Sequence, residues 1–339
     1  MKKSIFLLFI LFLVCLSAWF GLTLGAIPMG WKEVISILWT NASGASSPSD
    51  LDAIVWHIRT PRVLLGLVIG ALLGLCGAAM QGLFRNPLAD PGLTGISAGA
   101  ALFAVLWIVF GPSTTFSTHP FMLSWAAFVG AATCSWLVYQ LAGKKRHTSP
   151  ASLLLAGIAI NALSGALTGL CLFVASDAQL RSIQFWTLGS LGGASWEITR
   201  VALFAFVPVI LILPRWAKHL NAFALGQATA GHLGLPVQRL TAGILLLTTL
   251  GVGVSVALCG AIGFVGLVIP HVVRFFIGAD HRWVLPASAL LGAFLLTSAD
   301  ILARTVVVPA ELPIGIVTAI LGTPLFFGQL IRFQKSQTI

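Results

Sequence analysis

Apolar residues run along this chain in long blocks that carry no charge. Residues 4–31, 63–84, 91–143, 147–176, 240–273 and 312–331 contain no Asp, Glu, Lys or Arg. A helix of about 20 apolar residues crosses a bilayer, so each block holds at least one crossing. Turn residues divide the longest blocks. "FGPSTTFSTHP" at 110–120 breaks 91–143 into two helices, and "LCGAIG" at 258–263 breaks 240–273. The pattern predicts ten spans, at 5–28, 60–84, 92–111, 120–142, 151–174, 198–214, 238–258, 261–277, 284–303 and 313–332. Both termini then lie on one side, and residues 1–339 form one all-α polytopic membrane domain. The start, "MKKSIFLLFILFLVCLSAWFGLTLGA", imitates a secretory signal. Its apolar run exceeds a typical signal core and no A-x-A site follows, so it reads as an uncleaved first span.

Composition agrees. The chain is 58% hydrophobic and 8% charged, where soluble domains carry about a quarter charged residues. Its five cysteines all lie in apolar segments without close spacing, which favours small buried hydrophobes over a metal or disulfide set. The net charge of +10 follows from topology. Thirteen basic residues fall on the side of the termini: Lys2, Lys3, Arg85, Lys144, Lys145, Arg146, Arg215, Lys218, Arg239, Arg274, Arg282, Arg332 and Lys335. Only Lys32, Arg59, Arg62, Arg181, Arg200 and Arg304 fall opposite. That asymmetry predicts cytoplasmic termini and removes the reason to expect a nucleic-acid partner.

Small residues mark packing faces. Gly66, Gly70, Gly74, Ala78 and Gly82 recur every fourth residue in the second span, and the row reads as a helix contact. Gly157, Gly165 and Gly169 form a similar row in the fifth span. Asn161 completes that row, which leaves a packing face and a watery path as equal alternatives.

The energy source is a matter of what is missing. Glu33, Asp50, Asp52, Asp90, Asp177, Glu197, Asp280, Asp300 and Glu311 all fall in loops or near predicted span ends. An ion-coupled carrier needs an ionisable group deep in the membrane. His271, the nearest candidate, follows Pro270 toward the terminal side. Nor is there a phosphate-cradling loop: Gly143-Lys144 is followed by Lys145 rather than Ser or Thr, and Val138 stands where the loop's first glycine belongs. No catalytic cluster or channel filter is evident. The chain is expected to bind no cofactor itself, so a separate subunit should supply the energy. A docking surface for it is predicted at 215–240, "RWAKHLNAFALGQATAGHLGLPVQRL", as two short helices joined at Gly226 and closed by Gly234.

Several segments carry a resemblance. "RTPRVLLGLVIGALLGLCGAAMQGLFRNPLADPGLTGISAGA" (59–100), "LLLAG" (153–157), "ALGQATAGHLG" (224–234), "GAIGFVGLVIPHVVR" (260–274), "DHRWVLPASALLGA" (280–293) and "ELPIGIVTAILGTP" (311–324) stand in the same order in a known family. The chain resembles the iron-chelate and cobalamin uptake permeases, the membrane subunits of type II ATP-binding-cassette importers of bacterial inner membranes. The resemblance implies a ten-span fold with an inverted repeat of spans 2–5 and 7–10. It implies a second permease copy, here expected to make a homodimer. Two cytoplasmic ATPases would hold ATP and magnesium, and a periplasmic binding protein would deliver substrate.

Residue roles follow from the same resemblance. Arg59, Arg62 and Arg304 match positions that meet acidic residues of the binding protein, and exposed arginines on the outer side suit that role. Asn86 and Leu88, with Pro87 stiffening them, match a cytoplasmic gate. Pro150 and Ala151 align with a second gate whose hydroxyl pair is not kept here. Gly157, Asn161 and Gly165 would lie on the translocation path. Ala224, Leu225, Gly226, Gln227, His232, Leu233 and Gly234 match the helices seated in the ATPase cleft. Gln227 and Gly231 depart from the acidic and basic residues common there. "GLFRNPLADPGL" and "FWTLGSLGGASW" look most like haem-import permeases, with ferric siderophores or cobalamin as alternatives. No His or Met cluster resembles a metal site, and His119 reads as a solvated outer-loop residue.

Overall fold

The computed structural model describes residues 3–25, 27, 29–44, 49–111, 121–143 and 149–337. Lys2, His119 and the basic run Lys144 to Arg146 lie outside the described residues. Every regular element among the described residues is helical. In chain order these are α1 (Lys3–Thr23), α2 (Trp31–Ala42), α3 (Asp50–Phe84), α4 (Ile96–Phe110), α5 (Met122–Leu141), α6 (Pro150–Val174) and α7 (Asp177–Leu188). Then follow α8 (Trp196–Ile212), α9 (Ala217–Phe223), α10 (Gln227–His232), α11 (Val237–Cys259), α12 (Val265–Ile277), α13 (His281–Thr305) and α14 (Ile314–Gln337).

Seven of the described helical stretches are long and apolar enough to cross a bilayer: α1, α3, α5, α6, Trp196–Phe223, α11 and α13. The other three expected spans coincide with shorter apolar helices, Ile96–Phe110, Val265–Ile277 and Ile314–Pro324. Two of these are short for a local reason. The span expected at 92–111 becomes helical only at Ile96, after a 3-10 turn over Pro91–Thr94 and a left-handed Gly95. The span expected at 261–277 starts at Val265, because Gly260 and Phe264 both adopt positive φ and residues 260–264 are not helical. Prolines 87 and 91 lack the N–H that would continue α3, and Arg85 closes it in the left-handed region.

Contacts fix the relative sense of α1, α13 and α14. Phe6 near the start of α1 stacks on Phe276 at the end of α12, with centroids 5.4 Å apart. Near the far end of α1, Gly21 accepts from Arg304 Nη2 at 2.5 Å. Leu312, just before α14, donates to Ala303 O at 2.9 Å. Thus α14 sets out from the face where α1 ends and runs back to the face where α1 begins. We refer to these as the opposite face and the terminal face.

The core is α3, nearly all of whose span-length segment is buried. Its glycine row does what the sequence pattern predicts. A Cβ on Gly70 would collide with the carbonyl of Gly292 and one on Gly74 with that of Ser288, while Gly77, outside the row, meets the carbonyl of Gly266 on α12. Antiparallel α3 and α13 therefore touch backbone to backbone, a separation that only small residues permit. The row on α6 behaves differently. Gly157 lies against the Leu93 carbonyl, but Gly165 and Gly169 meet nothing within 4 Å. Helix α6 is covered on one side only and leaves Leu155, Ile158, Leu163, Leu170 and Phe173 exposed.

Two helices go beyond the expected ten. Near the opposite face, α7 opens with a capping box between Ser176 and Gln179. Gln179 Nε2 also donates to Ile108 O and Val109 O, satisfying carbonyls at the end of α4. Helix α2 begins with the Glu33 carboxylate accepting from Gly30 N at 3.1 Å.

Replacing Gly74 by Ala should lower the unfolding temperature of the purified protein, at a cost of roughly 1–3 kcal/mol or more. Gly165→Ala, with open space around it, should leave the unfolding temperature unchanged. Equal melting curves for the two variants would contradict the backbone contact.

Candidate functional site

The polar residues gather at the two faces and along one path between them. On the terminal face, 215–240 forms the two short helices expected, α9 and α10, joined at Gly226 with φ 109°. Leu220, Phe223 and Ala230 anchor them inward. Ala224, Leu225, His232, Leu233 and Gly234 face outward, with Leu225 67% and Leu233 62% exposed. A pair of solvent-facing leucines on a polar segment marks a contact surface. Beside it lies a groove of about 770 Å³ bordered by Gln227, Gly231, His232, Leu235, Pro236 and Arg239.

One amide ties this segment to the core. Asn221 Nδ2 donates to Asp280 Oδ1 at 2.7 Å, and Asn221 Oδ1 accepts from His281 N at 2.9 Å. The same oxygen lies 2.8 Å from His281 Nδ1. Asp280 also caps α13 through Arg282 N, and these bonds hold its carboxyl below the usual carboxylate range, the Asn221 amide contributing most. His281 in turn rests on Gly82 of α3.

The next segment begins beside the Gly226 turn. Arg85 Nη1 comes within 3.6 Å of where a Gly226 side chain would start. Asn86 Oδ1 accepts from Leu88 N at 2.9 Å, an Asx turn that sets the shape of 86–88. Asn86, Pro87 and Leu88 are exposed on the terminal face, and Pro150 and Ala151 open α6 on that same face, with Ser149 capping Ser152 N.

Beyond Ala89 the chain turns inward. Gly92 O accepts from Asn161 Nδ2 at 3.2 Å, and Asn161 lies about 11 residues beyond Pro150, roughly 16 Å along α6. Residues 91–95 therefore sit well inside the membrane-spanning region. Asp90 goes with them: its Oδ1 accepts from Gly92 N at 2.7 Å, and it borders a cavity of about 250 Å³ with Leu73, Ser97, Val256, Ile262 and Gly266. Asp90 lies in a connection, as expected, but two prolines carry that connection back into the protein rather than along its surface. Asn161 spends its amide on Gly92 and keeps Oδ1 buried without a partner, while Gly157 is a contact residue and Gly165 an open one.

At the opposite face Arg59, Arg62 and Arg304 come together, but the expectation that they stand exposed is corrected: they are 4%, 7% and 7% exposed. Arg59 donates to Leu22 O at 2.8 Å, Thr23 O at 2.9 Å and Ile27 O, neutralising carbonyls at the end of α1. Arg62 donates to both oxygens of Glu311 at 2.8 and 3.0 Å, and its Nε reaches Asp300 Oδ1 at 2.9 Å. Arg304 Nε lies 3.5 Å from Asp300 Oδ2. Arg62 and Arg304 meet two carboxylates beside Arg59, the Asp300 side buried and the Glu311 side open, and the Arg62 hydrogen bonds hold the Glu311 carboxyl below its usual range. Sequence reasoning had Asp300 and Glu311 as bystanders near span ends. It also passed over Asn221, whose only signal was a polar residue between the buried Leu220 and Phe223.

Comparison with known proteins follows this geometry. The FecCD transport family matches residues 8–332. The hemin transport system permease protein HmuU of Yersinia pestis is 42% identical over 338 residues, covering 97% of this chain and 96% of its own length. The vitamin B12 import system permease protein BtuC of Vibrio cholerae is 40% identical over 303 residues, 89% of this chain and 90% of its own. A solved structure described as an inward-facing metal-chelate type ABC transporter superposes with a TM-score of 0.81 at 31% identity, covering 96% of this chain and 98% of that one.

Because Glu311 has a lowered folded-state pKa, its bond to Arg62 contributes stability that is present above the unfolded carboxyl value. That contribution is lost as pH falls through the folded one. The wild type should therefore melt above Glu311→Gln at neutral pH, with the gap closing below about pH 4. A gap that persists in acid would show that the difference is not the ion pair.

Proposed function

This chain belongs to the FecCD transport family, and we propose that it is the membrane-spanning permease of an ATP-driven importer that passes haem into the cytoplasm. The observation that carries the reading is the 42% identity, across nearly the full length of both chains, to a hemin transport permease. The chain lies in the bacterial inner membrane with both termini cytoplasmic, consistent with the basic residues of the terminal face. It works as a homodimer with two ATPase subunits, which hold ATP and magnesium, and a periplasmic protein that delivers substrate.

Ten spans arranged as an inverted repeat suit the order of elements. A long helix, a break within the membrane, a short helix and two further helices occur twice: α3, 85–95, α4, α5 and α6, then α11, 260–264, α12, α13 and α14. Cross-contacts correspond, since α3 lies on α13 and α11 lies on α5, where Ser135 Oγ and Thr249 Oγ1 are 2.7 Å apart. In this arrangement α9 and α10 seat the ATPases, with Leu225 and Leu233 entering their clefts. Asn86 to Leu88 and the start of α6 close the cytoplasmic mouth of the path. Arg59, Arg62 and Arg304 orient the delivery protein, and Gly157, Asn161 and Gly165 belong to the path wall. Asp90, though inside the protein, is not needed for ion coupling when ATPases drive transport.

A cobalamin importer is the second reading, supported by the 40% identity to the Vibrio cholerae vitamin B12 permease. Proteoliposomes holding the permease, its ATPases and its delivery protein separate the two. Haem uptake should require ATP and should not be competed by cobalamin; uptake of cobalamin alone, or haem entry without ATP, would overturn the first reading. Cysteines at Leu88 should crosslink between two copies in one nucleotide state and not the other. Failure to crosslink in any state would remove Leu88 from the gate.

A further inference from the structure

We propose that Glu311 is an internal occupant of the Arg62 fork, and that a carboxylate of the docking delivery protein takes its place. The inference rests on the proposed function, in which such a protein meets the opposite face. Arg62 presents two sets of donors. Nε and Nη2 face Asp300 at 2.9 Å each, and Nη1 and Nη2 face the two oxygens of Glu311.

The two carboxylates differ in how firmly they are held. Asp300 lies on α13, is 3% exposed and also faces Arg304. Removing it would strand buried guanidiniums, which is strongly unfavourable. Glu311 stands on the non-helical connection 306–313, and its side chain is 45% exposed. Solvent on the Glu311 side discounts its pairing with Arg62 and leaves that carboxylate within reach of an incoming one. An incoming carboxylate reproduces the same bidentate geometry, so Arg62 stays satisfied throughout the exchange. The other two arginines are less open to such an exchange. Arg59 is committed to backbone carbonyls, and Arg304 to Gly21 O and the buried Asp300.

The exchange has a mechanical consequence. The connection 306–313 carries exposed Val306, Val307 and Val308 and is held near its end by Leu312 N to Ala303 O. It leads directly into α14, whose first residue donates to Gly189 O at 3.1 Å. Docking would thus free this connection from Arg62 and leave it held only by its backbone bonds at Leu312 and Ile314, linking arrival of the delivery protein to the segment that precedes α14.

The test uses the complete permease–ATPase complex in lipid nanodiscs. The probe is the delivery protein, defined as the one that stimulates ATP hydrolysis by that complex. Glu311→Gln should bind it about tenfold more tightly, because an internal competitor is gone. Arg62→Lys, which keeps the charge but loses the fork, should bind it more weakly. If Glu311→Gln binds no more tightly while Arg62→Lys is weakened, the exchange is wrong and docking at Arg62 stands. If Arg62→Lys binds normally, docking at Arg62 is itself wrong and the exchange falls with it. A nitroxide at position 307 of the otherwise unaltered protein gives a readout independent of variant folding. It should gain mobility when the delivery protein docks, and unchanged mobility would overturn the proposal.

Discussion

The backbone contact between α3 and α13 is the constraint on which the rest depends. Gly70, Gly74 and Gly292 bring two long antiparallel helices so close that carbonyls take the place of side chains. In lipid such a contact gains from dispersion and from the absence of side-chain ordering rather than from burial of apolar area. Its consequence is geometric. The 25 residues of α13 span about 37 Å, with Asp280 and His281 at one end and Asp300 and Arg304 at the other. Helix α3 runs beside it and sets Arg62 against Asp300 and Gly82 against His281. One rigid pair of helices therefore carries the polar clusters of both faces in fixed relation.

Around that pair the chain twice abandons helical geometry inside the membrane. Non-helical backbone at such depth is tolerated only where protein covers it or where it borders a polar cavity. Both breaks meet this condition at the same place. Asp90 and Gly92 from the first and Ile262 and Gly263 from the second border one cavity of about 250 Å³. Asn161 supplies a donor to Gly92 O, and Asp90 supplies an acceptor to Gly92 N. Directed bonds thus join the first break to α6, and the shared cavity sets the second break beside them.

This division explains what the sequence made legible. Charge-free blocks, turn residues and the glycine row of α3 are local signals, and they placed most helices and a contact face on α3, though not its partner α13. The Gly226 turn located α9 and α10 for the same reason. Helix α7 was also signalled, by Ser176 and Gln179 in capping-box register, but a polar stretch between spans masked it. The inward course of 85–95 was hidden, because prolines announce a break and not its direction. The burial of Arg59, Arg62 and Arg304 was hidden too. Apart from Asp300, four residues before Arg304, their partners are backbone carbonyls and carboxylates up to 283 residues away, which no spacing along the chain reveals.

The same division says where movement costs least. Helix α3 cannot rotate about its axis against α13 without driving Leu73 into the backbone that now meets glycine. The segments with assigned duties are each held by few bonds. A single amide, Asn221, ties α9 to the start of α13, and one side-chain bond with one glycine contact seats α6 on 92–93. Glu311 and Leu312 pin the connection before α14. Local opening follows the density of such contacts, so these elements rearrange at lower free energy than the core that orients them. A transporter with a rigid glycine-packed centre and lightly tethered α6, α9 and α14 can then change state at both faces without repacking its interior.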